Sequence, residues 1–238
     1  MIEALISQAQ LSNVAAETLR NIVSLRVSQD LFDDLSADPA ARAAAERLEL
    51  QVKPSAFESH LPIIDRPFEE GAYFNAIDFP FQNWSTSRYS DGRFGVWYGA
   101  DSMETTVWET VHHWRNFLAD ADNLQAGARI ERKVYAVHCE AALIDLRQLV
   151  SSFSSLVHPS DYSLCQQLGS KLHREGHPGL ITQSARCAGD VFVILNRQVL
   201  SAPRQLCYLS YISSEDGIVV EREPGTPWLH IPPLAEGD

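Results

Sequence analysis

Four polar side chains, Arg88, Tyr98, Glu109 and Ser184, are the strongest candidates for chemistry in this sequence. A guanidinium group is a permanently charged fork that suits a bound phosphate or carboxylate. A carboxylate stabilises positive charge that develops in a transition state, a phenol stacks on a bound ring, and a hydroxyl donates a hydrogen bond. Each also has an ordinary alternative as a surface arginine, a rim aromatic, a solvated carboxylate or a loop hydroxyl. Their spacing, and the elements that carry them, must decide between these interpretations.

The segment between residues 87 and 118 predicts a polar, glycine-rich turn, a short strand and a capped helix. Phe94 to Tyr98 is typical of a short buried strand. The run Asp101-Ser102-Met103-Glu104 is a capping box, which predicts that a helix begins there and continues to about Leu118. The apolar residues of this helix share one face: Val107, Val111, Trp114 and Leu118. Glu109 points away from that face and therefore faces either water or a cleft.

The rest of the chain predicts short strands and helices in mixed order. Strands are expected at 133–138, 142–146, 180–182, 191–195 and 206–212, and a helix at 161–175. Ser184 lies in the loop 184–189. Helical spacing over 2–25, and an Asp38-Pro39 start before Ala40 to Leu48, predict a helical N-terminal extension. We therefore predict an α+β fold with mixed small sheets and flanking helices. Its organisation would be an extension over 1–60, a catalytic domain over 61–215 and a tail over 216–238.

The composition indicates a globular protein that does not bind nucleic acid directly. The chain has 238 residues, 45% of them hydrophobic, and a formal net charge of −12. A nucleic-acid binder usually shows a basic face, which this balance disfavours. No apolar run is long enough for a membrane helix, and the first residues lack a basic export signal. We expect a cytoplasmic protein whose four cysteines, with no CxxC pair, are reduced.

Several common catalytic patterns are absent from the sequence, and no metal site is predicted. There is no GxSxG elbow, no GxxxxGK[ST] loop and no GxGxxG fingerprint. His173 and His177 are four residues apart, but the Glu of a metalloprotease helix is misplaced. Glu109, His112 and His113 share helical spacing, for which a polar helix face is the simpler interpretation. We expect no metal and no bound cofactor.

The spacing of the candidate residues resembles that of the RES domain family, which is named for its Arg, Glu and Ser. Arg88 precedes Tyr98 by ten residues, and Glu109 follows eleven residues later. The segment from Glu104 to Glu109 is similar to the family's ETAxxE pattern. The segment from Gly179 to Arg186 resembles the family's loop that contains the Ser. The resemblance covers about residues 62–212. A rival alignment would match Arg93, in Gly-Arg-Phe, to the family Arg, but it leaves only five residues before Tyr98.

The resemblance implies a fold similar to ADP-ribosyltransferase toxins and a toxin of a bacterial toxin–antitoxin pair. Such toxins deplete NAD by cleaving its nicotinamide–ribose bond, with water or inorganic phosphate as acceptor, and an Xre-type helix-turn-helix antitoxin blocks them. Arg88, Glu109 and Ser184 would be catalytic, and Arg88, Tyr98 and Ser184 would bind substrate. An N-glycosidic cleavage passes through an oxocarbenium-like ribose that Glu109 would stabilise. Arg88, Arg93 and Arg186 could line a pocket for the anionic dinucleotide.

Two alternatives remain open at this stage. The first is transfer of ADP-ribose onto a macromolecule by an ADP-ribosyltransferase. Such transferases often carry a second acidic residue two positions before the catalytic Glu, where this chain has Val107. The second is a catalytically silent module that only binds a partner. The four candidate residues are all present, which disfavours it.

Overall fold

A computed structural model describes residues 2–24, 73–120 and 127–233, and the structural statements below concern these residues. The chain divides into two compact units. Of the described residues, the first comprises 2–20, 73–109 and 135–204, and the second comprises 21–24, 110–120, 127–134 and 205–233.

The described residues form four α-helices, ten strands and several short 3-10 or π turns. The helices are α1 (Ile2–Gln8), α2 (Phe79–Gln82), α3 (Met103–Asp120) and α4 (Ser163–Arg174). The strands are β1 (Gln10–Val23), β2 (Thr86–Ser87), β3 (Ser90–Asp91), β4 (Trp97–Ala100), β5 (Arg129–Asp145), β6 (Gly179–Gln183), β7 (Asp190–Ile194), β8 (Leu200–Ser214), β9 (Gly217–Glu223) and β10 (Thr226–Ile231). A π turn spans Phe74–Asp78, and 3-10 turns span Arg147–Leu149, Ser154–Val157 and Arg197–Val199. This mixture of sheet and flanking helices confirms the predicted fold class.

The first unit is built on a mixed sheet in the order β1-β4-β7-β6-β5. Strands β5 and β6 pair in parallel. Strand β7 pairs antiparallel with β4 on one side and with β6 on the other. Leucines of α4 pack with α1 and with the strand side chains in one buried cluster, which includes Leu5, Leu164, Leu168, Leu172, Leu180 and Val193. The core of this unit therefore lies between the sheet and α4, where apolar side chains leave water.

The N-terminal segment differs from the sequence prediction. Residues 2–25 were predicted to be helical, but only Ile2–Gln8 are, and Gln10–Val23 form β1. Leu19 pairs with Ala100 of β4, and the buried Thr18 hydroxyl donates to the Val137 carbonyl at 3.0 Å. Such long-range pairing overrides a local helical pattern. The second predicted helix, at 38–48, lies outside the described residues.

The second unit contains two strands where the sequence predicts a C-terminal tail over 216–238, so that prediction is wrong for residues 217–231. Strands β9 and β10 form an antiparallel hairpin, and β9 also pairs with β8. Gly225 takes a φ of +77° in the connecting turn, and Pro227 lies in the terminal strand β10. Glycine in the turn and proline in an edge strand fit a hairpin as well as they fit a tail. In the same unit, the Trp114 and Tyr211 rings lie 6.1 Å apart.

The predicted helix after residue 101 is confirmed. The Thr105 amide donates to the Ser102 hydroxyl at 3.1 Å, so Ser102 caps the N-terminus of α3. Val107, Val111 and Trp114 are buried, as their shared face predicts. No helix within the described ranges has the length and apolar character required to cross a membrane.

Gly169 of α4 permits the close approach that fixes the turn between β2 and β3. A Cβ atom at this position would lie 2.0 Å from the backbone oxygen of Tyr89. Any side chain there would push α4 away from the turn that carries Arg88. The absence of a side chain at Gly169 is therefore a packing requirement.

We predict that Gly169→Ala destabilises the protein, although alanine favours a helix interior over glycine by roughly 0.5–1 kcal/mol. The clash with backbone outweighs this gain, and we expect the free energy of unfolding to fall by about 2 kcal/mol or more. Urea denaturation measures the change, with Ser170→Ala on the same helix as the control. A stability equal to the parent's would show that α4 is free to move away.

Candidate active site

The side chains of Glu109 and Ser184 meet, although 75 residues separate them in the chain. The Ser184 hydroxyl donates to the Glu109 Oε1 at 2.5 Å. Glu109 comes from α3, on the side away from the buried face, and Ser184 follows the last residue of β6. Ser184 is buried and Glu109 is partly exposed, so one carboxylate oxygen is held while the group remains open to a ligand.

The hydroxyl of Ser184 is also the acceptor for its own loop. The backbone amides of Arg186 and Cys187 donate to Ser184 Oγ at 3.0 and 3.2 Å. The Ser184 amide donates to the Gly189 carbonyl at 2.7 Å, which closes the loop. Both lone pairs of the oxygen are thus engaged, and its proton is directed to Glu109. The structure thus places a carboxylate beside the Ser184 hydroxyl. With its lone pairs engaged, the hydroxyl is better suited to orienting Glu109 than to nucleophilic attack.

Arg147 holds both ends of the Ser184 loop. Its guanidinium group forms a fork with Asp145 at 2.6 to 3.2 Å and bonds Asp190 at 2.8 Å. The Gln183 side chain donates to the Arg147 carbonyl at 3.2 Å. Because Gln183 and Asp190 flank the loop, this clamp sets where Ser184 lies. Sequence reasoning missed it, since nothing in the spacing links residue 147 to the loop.

Arg88 lies in the two-residue turn between β2 and β3, and Tyr98 anchors that turn. The Tyr98 phenol exchanges a hydrogen bond with Ser87 Oγ at 2.9 Å and accepts from the Tyr89 amide at 3.0 Å. The Gln166 side chain of α4 donates to the Ser87 carbonyl at 3.0 Å. Tyr98 therefore bonds to both neighbours of Arg88, a positioning contact that the sequence did not predict.

The guanidinium group of Arg88 is held by the segment that precedes α4. It donates to the His158 carbonyl at 2.8 Å and, more weakly, to the Leu156 carbonyl at 3.5 Å. Its central carbon lies 4.3 Å from the centre of the Tyr162 ring, a cation–π contact. The positive charge of Arg88 is thereby fixed in place within the first unit.

Arg186 lies close enough to interact electrostatically with both Arg88 and Glu109. Burial lowers the pKa of the Arg186 guanidinium, and the like charge of Arg88 acts in the same direction. The Glu109 carboxylate and the Tyr162 phenol oppose this shift in pKa. Arg186 Nη2 donates to the Pro159 carbonyl at 2.6 Å and to the Tyr162 phenol at 3.3 Å. The site thus combines two guanidinium groups with a carboxylate.

Arg93 lies apart from this cluster. Its side chain is 83% exposed and forms an ion pair with Asp91 of β3. Arg88, by contrast, is partly buried, and its charge opposes the rise that burial causes in the pKa of Tyr98. Of the two arginines that the sequence left open, the structure brings Arg88 to the site. The expectation that Arg93 lines the pocket is not supported by this placement.

The arrangement is suited to an anionic ligand that carries a centre of developing positive charge. Two arginines can hold phosphate oxygens, and the carboxylate of Glu109 can face the reacting atom. Among the residues with assigned positions, no group of three or more His, Cys, Asp or Glu side chains is arranged to hold a metal. The fold and the site therefore define a mixed α/β protein with an Arg-Glu-Ser centre.

The RES domain model matches residues 64–214, and the chain belongs to the RES domain family. This confirms the resemblance drawn from the sequence. A crystal structure of the M. tuberculosis MbcT–MbcA toxin–antitoxin complex contains a similar chain, at 14% identity and a TM-score of 0.45. The alignment covers 86% of this chain and 91% of that one. No curated protein matches the sequence.

The Tyr98 phenol is predicted to remain protonated well above the usual range. Burial raises the pKa of Tyr98 to about 12, although its hydrogen bonds and Arg88 oppose the shift. An unfolded tyrosine titrates near pH 10. The folded state therefore keeps a proton that the unfolded state has lost, and the resulting stability declines as the pH rises from about 10 through 12.

Alkaline titration of the phenolate absorbance tests this expectation. We expect Tyr98→Phe to remove one component near pH 12 and to leave the components near pH 10 unchanged. Tyr73→Phe, at a more exposed tyrosine, is the matched control. Loss of a component near pH 10 in Tyr98→Phe would contradict the buried, hydrogen-bonded position.

Proposed function

We propose that this chain is the toxin of a bacterial toxin–antitoxin pair and that it depletes NAD by cleaving the nicotinamide–ribose bond. Membership of the RES domain family supports the proposal. The observation that carries it is the 2.5 Å contact between Ser184 and Glu109, in electrostatic reach of Arg186. A carboxylate held next to guanidinium groups matches a substrate whose ribose gains positive charge beside a pyrophosphate.

Each residue has a chemical task in this reaction. The pyrophosphate of NAD is held by Arg88 and Arg186, because forked cations bind phosphate oxygens well. The free oxygen of Glu109 faces the ribose and stabilises the oxocarbenium-like charge as the glycosidic bond breaks. Ser184 fixes the orientation of that carboxylate. Nicotinamide leaves as a neutral molecule with the bonding electron pair, so the site requires no general acid.

The acceptor is either water or inorganic phosphate. Water gives ADP-ribose, nicotinamide and a proton, whereas phosphate gives an ADP-ribosyl phosphate and nicotinamide. NAD and phosphate would be substrates, and no resident cofactor takes part. The proposal also includes a cytoplasmic location and an Xre-type helix-turn-helix antitoxin that binds the toxin and blocks this site.

The position two residues before Glu109 favours a small acceptor over a macromolecule. Val107 is fully buried on the core face of α3. It therefore offers no second acidic group beside Glu109, of the kind that often activates a protein acceptor in ADP-ribosyltransferases. Cleavage of NAD with water or phosphate needs no such group.

The proposal predicts that purified protein releases nicotinamide from NAD and that Glu109→Gln slows this by at least about 100-fold. Proton NMR of NAD incubated with the antitoxin-free chain, with and without phosphate, follows the reaction and identifies the acceptor. Glu104→Gln is the matched control, because Glu104 is an exposed carboxylate on the same helix. Stable NAD with folded parent protein would refute the proposed activity.

A second pair of variants distinguishes the role of Arg88 from that of Arg93. We expect Arg88→Ala to lower the rate of NAD cleavage by roughly 10- to 100-fold, because the pyrophosphate loses a fixed charge. Arg93→Ala should match the parent, since Arg93 is exposed and paired with Asp91. Growth arrest on expression should follow the same order. Equal loss of activity in both variants would count against Arg88 as the substrate-binding arginine.

A further inference from the structure

Tyr162 lies between the two arginines of the candidate site. It immediately precedes α4, and its ring is half-buried. The ring face lies against Arg88, whose central carbon is 4.3 Å from the ring centre. The phenol oxygen at the edge of the same ring accepts from Arg186 Nη2 at 3.3 Å. One aromatic side chain thus touches both guanidinium groups, with its face on one and its hydroxyl on the other.

Two guanidinium groups of like charge repel each other, and a site that keeps both needs compensating groups. Burial is the main cause of the lowered pKa of Arg186, and the like charge of Arg88 acts in the same direction. A carboxylate between them would compensate, but it would also repel an anionic ligand. The electron-rich face of a phenol and its neutral oxygen attract guanidinium groups without adding a full negative charge.

The segment around Tyr162 supplies further neutral acceptors. The His158 carbonyl takes a hydrogen bond from Arg88, and the Pro159 carbonyl takes one from Arg186. The Tyr162 phenol also donates to the Pro159 carbonyl at 3.4 Å, which ties the ring to this segment. The segment 158–162 therefore orients both cations while leaving their positive charge available to a ligand.

We propose that Tyr162 is a positioning residue that holds Arg88 and Arg186 at the separation needed to bind the pyrophosphate of the substrate. This inference rests on the proposed function and adds the residue that organises its anion-binding half. It makes Tyr162 a determinant of substrate affinity rather than of bond cleavage, since its ring and hydroxyl are engaged with the two arginines. The effect of its loss should therefore appear in KM more than in kcat.

Two substitutions separate the contributions of the ring face and the hydroxyl. Tyr162→Phe keeps the face against Arg88 and loses the contact with Arg186, whereas Tyr162→Leu loses both. A cation–π contact is a modest attraction, so its loss should weaken substrate binding by a modest factor. We expect KM for NAD to rise about threefold in Tyr162→Phe and about tenfold in Tyr162→Leu, with kcat changed less than threefold in both.

The control is a tyrosine with a comparable cation contact in the second unit. Lys133 Nζ lies 5.4 Å from the centre of the Tyr208 ring, and Tyr208→Leu should leave KM unchanged. Thermal unfolding of each variant verifies the fold. If Tyr162→Leu does not fold, Tyr162→Phe still decides the question through its KM. A KM equal to the parent's in every folded Tyr162 variant would overturn the positioning role.

Titration with inorganic pyrophosphate, followed by calorimetry, separates this inference from the proposed activity. Weaker pyrophosphate binding in Tyr162→Leu than in the parent supports the positioning role, even if NAD proves not to be cleaved. Equal binding by parent and variant overturns that role, even if NAD is cleaved. A parent protein that neither binds pyrophosphate nor cleaves NAD would overturn both proposals.

Discussion

The Ser184 hydroxyl donates its proton to Glu109 while two backbone amides of its own loop donate to its oxygen. This three-way contact fixes the orientation of the carboxylate relative to the sheet. A carboxylate on a helix surface is normally mobile and solvated, so its electrostatic interaction with other charges is weak. Here the bond to a buried hydroxyl holds it in one position, so no reorganisation is needed as charge develops on a ligand. The remaining scaffold serves largely to keep the loop and α3 at this separation.

The part of the site that contains Arg88 and Arg186 is governed by a different constraint, the repulsion between two cations. Arg88 and Arg186 receive neutral partners: backbone carbonyls and the Tyr162 ring. These partners fix the direction of each guanidinium group without cancelling its charge. The protein as a whole has a net charge of −12, so attraction of an anion depends on this local concentration of arginine.

Much of the candidate site could be predicted from local signals and from the family spacing. The cap at Ser102 and the buried face of α3 require only a few neighbouring residues, and they correctly put Glu109 outside the core. The family order of Arg, Tyr, Glu and Ser then identified four candidate residues, each of which could otherwise be an ordinary surface or loop residue. The contact between Glu109 and Ser184 is consistent with that selection, although the spacing itself contained no distance between them.

Local sequence signals suffice to predict the helix α3, the loop of Ser184 and the family, because these depend on short-range capping, periodicity and motif order. Long-range packing, by contrast, makes residues 10–23 a strand and residues 217–231 a hairpin. Both depend on backbone pairing with distant segments, which leaves little trace in local composition. It also separated Arg88 from Arg93 and brought in Tyr162, since side-chain direction and like-charge compensation arise only when remote segments pack together.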